Sequence, residues 1–154
     1  MDYVAQYDCP LGTITLTSDG DALTGLSFDA AEPTTPADTI PSLSHTCRWL
    51  DLYFSGQQPD FLPTIKLTGS DFQRHVWQAL LEIPYGQTVS YGELACRIGC
   101  RSAQAVGQAV GHNPISIIVP CHRVIGSDGS LVGYEWGLKK KQYLLQLEKQ
   151  HNSI

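Results

Sequence analysis

The spacing of apolar residues changes near residue 65, and this change constrains the fold more than any other feature of the sequence. Before it, three short β-type runs cover residues 3–7, 12–17 and 22–28, and turn residues separate them. Such a pattern predicts an antiparallel meander with hairpin turns. Apolar residues near helical spacing over 42–54 add one helix. We therefore predict a small α/β N-terminal domain, an antiparallel sheet with a helix, over residues 1–65.

The pattern after residue 65 is helical, and we predict a mainly α C-terminal domain over residues 66–154. Helices are expected to begin near residues 70, 90, 102 and 138. The first two begin with the capping boxes S-D-F-Q and S-Y-G-E, in which two side chains satisfy exposed backbone amides. The buried-type run 115–119 is short and rich in β-branched residues, which predicts a strand that Pro120 ends.

The second and third helices of this part, about 90–98 and 102–110, have the size and short connection of a helix-turn-helix. The second of the pair carries little bulk, with the small residues Ala103, Ala105, Gly107 and Ala109. Close approach of a DNA backbone explains such a helix, and close packing of two helices inside a core explains it equally well.

Formal charge is divided unevenly along the chain, although the total is −5. Residues 1–69 carry nine acids and two bases, a charge of −7, while residues 70–154 carry six acids and eight bases, a charge of +2. This asymmetry favours contact between the second part and a polyanion. An ordinary solvated charge pattern is the alternative.

The five cysteines are odd in number and scattered, at positions 9, 47, 96, 100 and 121. No signal peptide precedes them, so we expect a reducing cytoplasmic location without a disulfide framework. They form no C-x-x-C pair, and we expect no metal site. No run approaches the roughly 18 apolar residues of a membrane span, so we expect no membrane partner.

Cys121 stands where the apolar run meets a proline, in the string I-I-V-P-C-H-R-V. A reacting thiol needs a base, and the adjacent His122 can serve only if the chain turns or a water molecule bridges the two. Arg123 would favour the thiolate, and Glu148 is a candidate to orient the histidine. Asn113 could brace the loop or the chemistry. An inert buried cysteine is the alternative for Cys121.

Residues 113–148 resemble the active-site region of the O6-alkylguanine-DNA alkyltransferases, also called methylated-DNA–protein-cysteine methyltransferases. The resemblance is carried by P-C-H-R-V at 120–124, N-P at 113–114, G-Y at 133–134 and L-L-Q-L-E ending at Glu148. The string P-Y-G-Q-T-V-S-Y-G-E-L-A is also family-like, whereas residues 8–28 match the family's N-terminal domain only loosely.

The resemblance implies a monomeric DNA repair protein that flips O6-alkylguanine out of double-stranded DNA and transfers the alkyl group irreversibly to Cys121, without a cofactor. O4-methylthymine is a second substrate implied by it. The resemblance also implies residue roles: His122, Glu148 and Asn113 for the chemistry; Tyr91, Val124, Tyr134, Glu135 and Trp136 for the base; Arg101, Ser102, Ala103, Gln104 and Arg123 for the DNA.

Two features depart from the family pattern or bear on its pocket. Gln104 stands where the family usually has the arginine that fills the space left by the flipped base, so we expect weaker or less salt-sensitive DNA binding. Trp136 lies on the loop expected to wall the pocket. It either narrows the site against bulky adducts or merely packs the loop.

Two other classes of protein would also use such residues. A Cys-His hydrolase or acyltransferase would turn over many times and would need backbone donors for an oxyanion. A module that only recognises alkylated DNA would not need the cysteine that this chain retains.

Overall fold

The computed structural model describes residues 2–131 and 133–151, and the chain divides into two compact units, Met1–Thr68 and Gly69–Ile154. Each unit has its own buried apolar residues. Whether residues 1–65 and 66–154 are independent domains stays a prediction.

The first unit contains a three-stranded antiparallel sheet in the order β1-β2-β3, with β1 at Tyr3–Cys9, β2 at Gly12–Ser18 and β3 at Leu23–Ser27. Leu16 of the central strand pairs with Ala5 on one side and Leu26 on the other. All three side chains are buried. The hairpin between β1 and β2 uses Gly12 at φ +118°, a backbone conformation that glycine adopts without steric cost.

Helix α1, Pro41–Phe54, covers this sheet. Its proline at the first helical turn needs no amide hydrogen there, and Leu43, Leu50 and Tyr53 lie buried on its inner side. Residues 64–66, beyond this helix, pair with the sheet: Leu23 N–H donates to Thr64 O at 2.8 Å, and Lys66 N–H donates to Leu23 O at 2.9 Å.

The second unit is mainly helical, with α2 at Asp71–Leu81, α3 at Tyr91–Arg97, α4 at Ala103–Gly111 and α5 at Leu138–His151. Both predicted capping boxes are present, so the helices begin where the serines place them. The predicted fold class, an α/β unit followed by a mainly α unit with a helix-turn-helix, is confirmed.

Helices α3 and α4 form the helix-turn-helix. Gly99 at φ +71° ends the first helix in the left-handed region, and the Ser102 side chain accepts from Ala105 N–H to begin the second. Helix α2 packs against α4, where the Trp77 indole N–H donates to Ala109 O at 2.8 Å. This bond gives a buried donor its acceptor and fixes the position of α4 relative to α2.

Two strands of two residues each, β4 at Val89–Ser90 and β5 at Val124–Ile125, pair in parallel. They are too short for apolar periodicity to predict, yet they join the start of α3 to the segment that follows Cys121. Within residues 2–131 and 133–151, no helix combines the length and the apolar character that a membrane crossing requires.

Candidate active site

The segment before Cys121 is a tight turn, and the prediction of a strand over 115–119 was wrong. Its backbone amides bond locally: Ile118 N–H donates to Ser116 O at 2.8 Å, and Val119 N–H donates to Ile115 O at 3.1 Å. Ile117 lies in the left-handed region at φ +72°, which is uncommon for a β-branched residue. The apolar side chains are buried as expected, but local hydrogen bonds replace a strand ladder.

The side chain of Asn113 stabilises this turn by hydrogen bonds to its backbone. Its Nδ2 donates to Val119 O at 2.8 Å, and its Oδ1 accepts from Ile115 N–H at 3.0 Å. The side chain is buried, so both bonds are shielded from water. Asn113 therefore fixes the backbone on either side of the turn and, with it, the approach to Cys121.

A single 3₁₀ turn, Cys121–Arg123, follows Pro120. The chain therefore turns between Cys121 and His122 instead of continuing as a strand, and the role of His122 as the base stays a prediction. Strand β5 then continues from the turn to pair with β4.

Helix α5 brings Glu148 to His122, as the sequence analysis expected. His122 Nε2 lies 2.6 Å from Glu148 Oε2, and both side chains are completely buried. Glu148 Oε1 also accepts from Gly86 N–H at 3.1 Å. The carboxylate thus joins α5 to the loop before β4 as well as to the Cys121 turn.

Arg123 lies in the interior, apart from the exposed residues with which it was grouped as a DNA contact. Its Nε donates to Glu148 Oε1 at 2.8 Å, and a terminal nitrogen donates to Ile83 O at 2.7 Å. The guanidinium also lies 5.7 Å from the ring centroid of Tyr85. The Arg123 guanidinium is buried and binds the Glu148 carboxylate, so it is not exposed for contact with a DNA phosphate.

These contacts set the protonation of the His122–Glu148 pair. Burial opposes ionisation of Glu148, but hydrogen bonds from His122 and Arg123 and the positive charge of Arg123 outweigh it and hold the pKa of Glu148 well below its usual value. Burial lowers the pKa of His122 despite the bond to Glu148. At neutral pH the carboxylate accepts, so the neutral imidazole carries its proton on Nε2. The basic lone pair is then on Nδ1.

The Cys121 thiol lines a cavity of about 120 Å³. Burial raises the pKa of the thiol to about 11, while the Asn113 hydrogen bond and the Lys141 charge act in the opposite direction. The other lining residues are Tyr91, Gly107, Val110, Gly111, Gly133, Tyr134 and Glu135.

Tyr91 lies between the helix-turn-helix and this cavity. A Cβ built on Gly107 of α4 would lie 3.7 Å from the Tyr91 ring, an ordinary contact distance, so the helix and the ring are close neighbours. Ala109, on the opposite side of α4, is buried against the core. Core packing therefore accounts for Ala109, whereas close approach of DNA at the exposed Ala103 stays a prediction.

Tyr134 and Glu135 line the cavity from the other side, and Val124 is buried in β5 beneath it. The Tyr134 hydroxyl is buried and makes no hydrogen bond with the part of the chain that the structure describes. Trp136 follows on the same loop, and its indole N–H donates to Ser116 Oγ at 2.8 Å. The indole is therefore anchored to the turn before Cys121.

Sequence reasoning missed Lys141, which is completely buried on α5. Its ammonium donates to the carbonyl oxygens of Val124 and Gly133, and it lies 6.0 Å from the Tyr91 ring centroid. Burial lowers its pKa to about 8, against the attraction of the Cys121 thiolate. Its spacing from Glu148, two helical turns, is the sequence signal that could have placed it on the inner side of α5.

Four residues predicted to contact DNA lie at the N-terminal end of α4 or just before it. Arg101, Ser102, Ala103 and Gln104 are all exposed. Gln104 lines an open groove that also contains Tyr91, which borders the cavity. The structure therefore places Gln104 next to the entrance of the Cys121 site.

Family profiles match both parts of the chain. Residues 71–150 match "6-O-methylguanine DNA methyltransferase, DNA binding domain", and residues 3–67 match "6-O-methylguanine DNA methyltransferase, ribonuclease-like domain". The chain belongs to the 6-O-methylguanine DNA methyltransferase family. The site described above lies within the part that matches the family's DNA-binding domain.

Individual members of the family are similar over nearly the whole chain. A methylated-DNA–protein-cysteine methyltransferase of Mycobacterium tuberculosis strain H37Rv is 48% identical over 147 residues, which are 92% of this chain and 89% of that protein. The crystal structure of the M. tuberculosis O6-methylguanine methyltransferase has a TM-score of 0.87 at 46% identity, covering 99% of this chain and 96% of that one.

A family member has also been solved with DNA. The crystal structure of M. tuberculosis OGT in complex with DNA has a TM-score of 0.85 and 47% identity, covering 95% of this chain and 92% of that one. The fold described here is therefore one in which a related protein binds DNA.

Proposed function

We propose that this protein repairs O6-methylguanine in double-stranded DNA by transferring the methyl group to the sulfur of Cys121. The observation that carries the proposal is the position of the Cys121 thiol, in a cavity and on the same turn as the Glu148-bound His122. Family membership supports the chemistry, and the exposed start of α4 supports the DNA partner.

The lesion must leave the base stack to reach this thiol, because the thiol lines a cavity and the target atom lies inside the duplex. Tyr91 and Tyr134 line the cavity from two sides and would contact the flipped base. The backbone of Val124 and Glu135 would contact its edge. The exposed residues 101–104 would hold the DNA itself, with Gln104 nearest the cavity.

The chemistry begins with the thiol. His122 takes the Cys121 proton on Nδ1, directly or through water, and Glu148 stabilises the resulting imidazolium. Sulfur then attacks the methyl carbon: the S–C bond forms, the C–O6 bond breaks, and its electron pair stays on guanine. A proton supplied by the Tyr91 hydroxyl completes the leaving guanine and is replaced from His122.

Two groups beside the thiol partly offset the burial that opposes this step. The resting thiol is protonated at neutral pH, since burial raises its pKa to about 11. The Lys141 ammonium and the Asn113 amide both stabilise the thiolate, so they lower the free energy of forming it. The reaction as written needs no cofactor, and the thioether product is stable, so each molecule reacts once.

The proposal is tested by mixing the protein with duplex DNA that carries O6-methylguanine with a labelled methyl group. We expect about one equivalent of label per protein chain, on the peptide that contains Cys121, and none with Cys121→Ser. Many turnovers would indicate a hydrolase, and recognition of the lesion without transfer would indicate a binding module.

O4-methylthymine is proposed as a second substrate, and competition between the two methylated bases in the same assay measures the preference. We also propose a monomer that acts in the cytoplasm. Sedimentation of the protein with and without DNA tests the monomer.

A further inference from the structure

Two rows of residues run along the open face of helix α4. Ala103 and Gly107 form one row, and Gln104 and Gln108 form the other, because residues four positions apart lie on the same face of a helix. All four line one groove, which also contains Tyr91. The first row carries almost no bulk, so a large partner can come close to the backbone of α4. The second row then places two amides beside that partner.

Neither of these amides is used inside the protein. Gln104 and Gln108 are exposed, and their side chains make no hydrogen bond with residues 2–131 and 133–151. The His112 ring does bond to Gln108 at 2.7 Å, but to its backbone oxygen. Gln108 also borders a second groove, between α2 and α4, so open space adjoins it on two sides. Its amide therefore keeps two donors and an acceptor oxygen for a partner.

The chemistry of an amide suits the edge of a base pair. In either groove of the duplex, A·T and G·C pairs present different donors and acceptors, and a glutamine side chain can supply the partner of either kind. Gln104 lies next to the entrance of the Cys121 cavity and so beside the expected position of the lesion. Gln108 lies one turn further along α4, about 6 Å along the helix axis, where one base step is about 3.4 Å. It is therefore placed for the base pairs beside the lesion.

We propose that Gln108 contacts the edge of a base pair that flanks the lesion, so that the rate of methyl transfer depends on the DNA sequence around O6-methylguanine. The inference rests on the proposed function and adds a specificity-determining residue to it. A contact to phosphate would instead be the same for every sequence. The dependence on the flanking pair is therefore the property that distinguishes the two kinds of contact.

The test measures methyl transfer from duplexes that carry the same O6-methylguanine and differ only in whether A·T or G·C pairs flank it. The quantity compared is the loss of rate that Gln108→Ala causes on each duplex. The cost of unstacking each flanking pair is the same for both proteins and cancels in this comparison. We expect the loss to differ about two- to tenfold between the A·T and G·C duplexes, the factor equivalent to one hydrogen bond. Alanine favours an exposed helical position, so the variant should fold.

Gln78→Ala is the matched control, since it removes an exposed glutamine amide from α2, outside both grooves that Gln108 borders. It should keep the wild-type rate on every duplex. A second measurement uses O6-methylguanine as the free base, which has no flanking pair. Gln108→Ala should react with it at the wild-type rate, because the amide lies outside the lining of the Cys121 cavity.

An equal loss on all duplexes, or no loss on any, would overturn the inference, the first by indicating a contact to the DNA backbone. Slower reaction of Gln108→Ala with the free base would overturn it as well, since the effect would then arise in the cavity. Failure of the proposed function would look different, because the wild-type protein would then transfer no methyl group from any duplex.

Discussion

His122 Nε2 lies 2.6 Å from Glu148 Oε2, and the same carboxylate binds the Arg123 guanidinium, so one buried acid serves two neighbouring residues of the active-site turn. The arrangement fixes the tautomer of His122 and neutralises Arg123 at once. Since burial penalises the charges of Glu148 and Arg123 separately, each of the two needs the other as its partner there.

Replacing Glu148 with alanine should therefore cost more stability than an ordinary substitution. The change leaves the Arg123 guanidinium buried and without its carboxylate, for which we expect a loss of about 3–5 kcal/mol in the free energy of unfolding. Urea denaturation at neutral pH measures it. The control is Glu82→Ala, an exposed acid on the same unit, which should change stability by less than about 0.5 kcal/mol. Equal effects of the two changes would contradict the buried network.

The same carboxylate should make stability depend on pH. The pKa of Glu148 is lowered in the folded state, so its contribution is complete above the unfolded pKa of about 4.3 and is lost as pH falls towards the lower folded pKa. Urea midpoints measured between neutral and acidic pH should fall more steeply for the wild type than for Glu148→Gln. Parallel curves would show that Glu148 does not carry this dependence.

The Cys121 thiol should be unreactive in the absence of DNA. Burial raises its pKa to about 11, so its thiolate is scarce at neutral pH, whereas Cys96 is exposed. Peptide mapping after brief iodoacetamide treatment should show modification of Cys96 first, with Cys121 catching up as pH rises towards 11. Faster labelling of Cys121 at neutral pH would mean that the resting thiol is already ionised.

Gln104→Arg should restore a cationic contact at the entrance of the cavity. Gln104 is exposed and borders the groove beside Tyr91, so an arginine there can reach DNA without disturbing the core. We expect tighter binding and a salt dependence steeper by about one unit of slope. Binding to duplex DNA across a series of salt concentrations measures both. Gln78→Arg, on the exposed side of α2, controls for added charge, and an equal effect there would count against a specific role of position 104.

Much of the local structure could be predicted from the sequence, because it depends on neighbouring residues. The capping boxes at Ser70 and Ser90 begin helices where predicted, since a serine and a residue three positions later satisfy the same backbone amides. The prediction of a strand over 115–119 was wrong because a residue outside that run decides its structure. Its composition favours a strand, but Asn113 offers the backbone local partners, and the segment forms a turn.

The sequence by itself determined the helices, their caps, the helix-turn-helix and the residue types around Cys121. Only the tertiary structure decided what Arg123 and Lys141 do. The partners of these two residues lie 8 to 40 positions away along the chain. Whether a cation faces solvent or a buried acceptor depends on packing between elements. The sequence does not distinguish an exposed cation from a buried one. The free energy difference between the two states comes from burial and from the partner that the cation binds there.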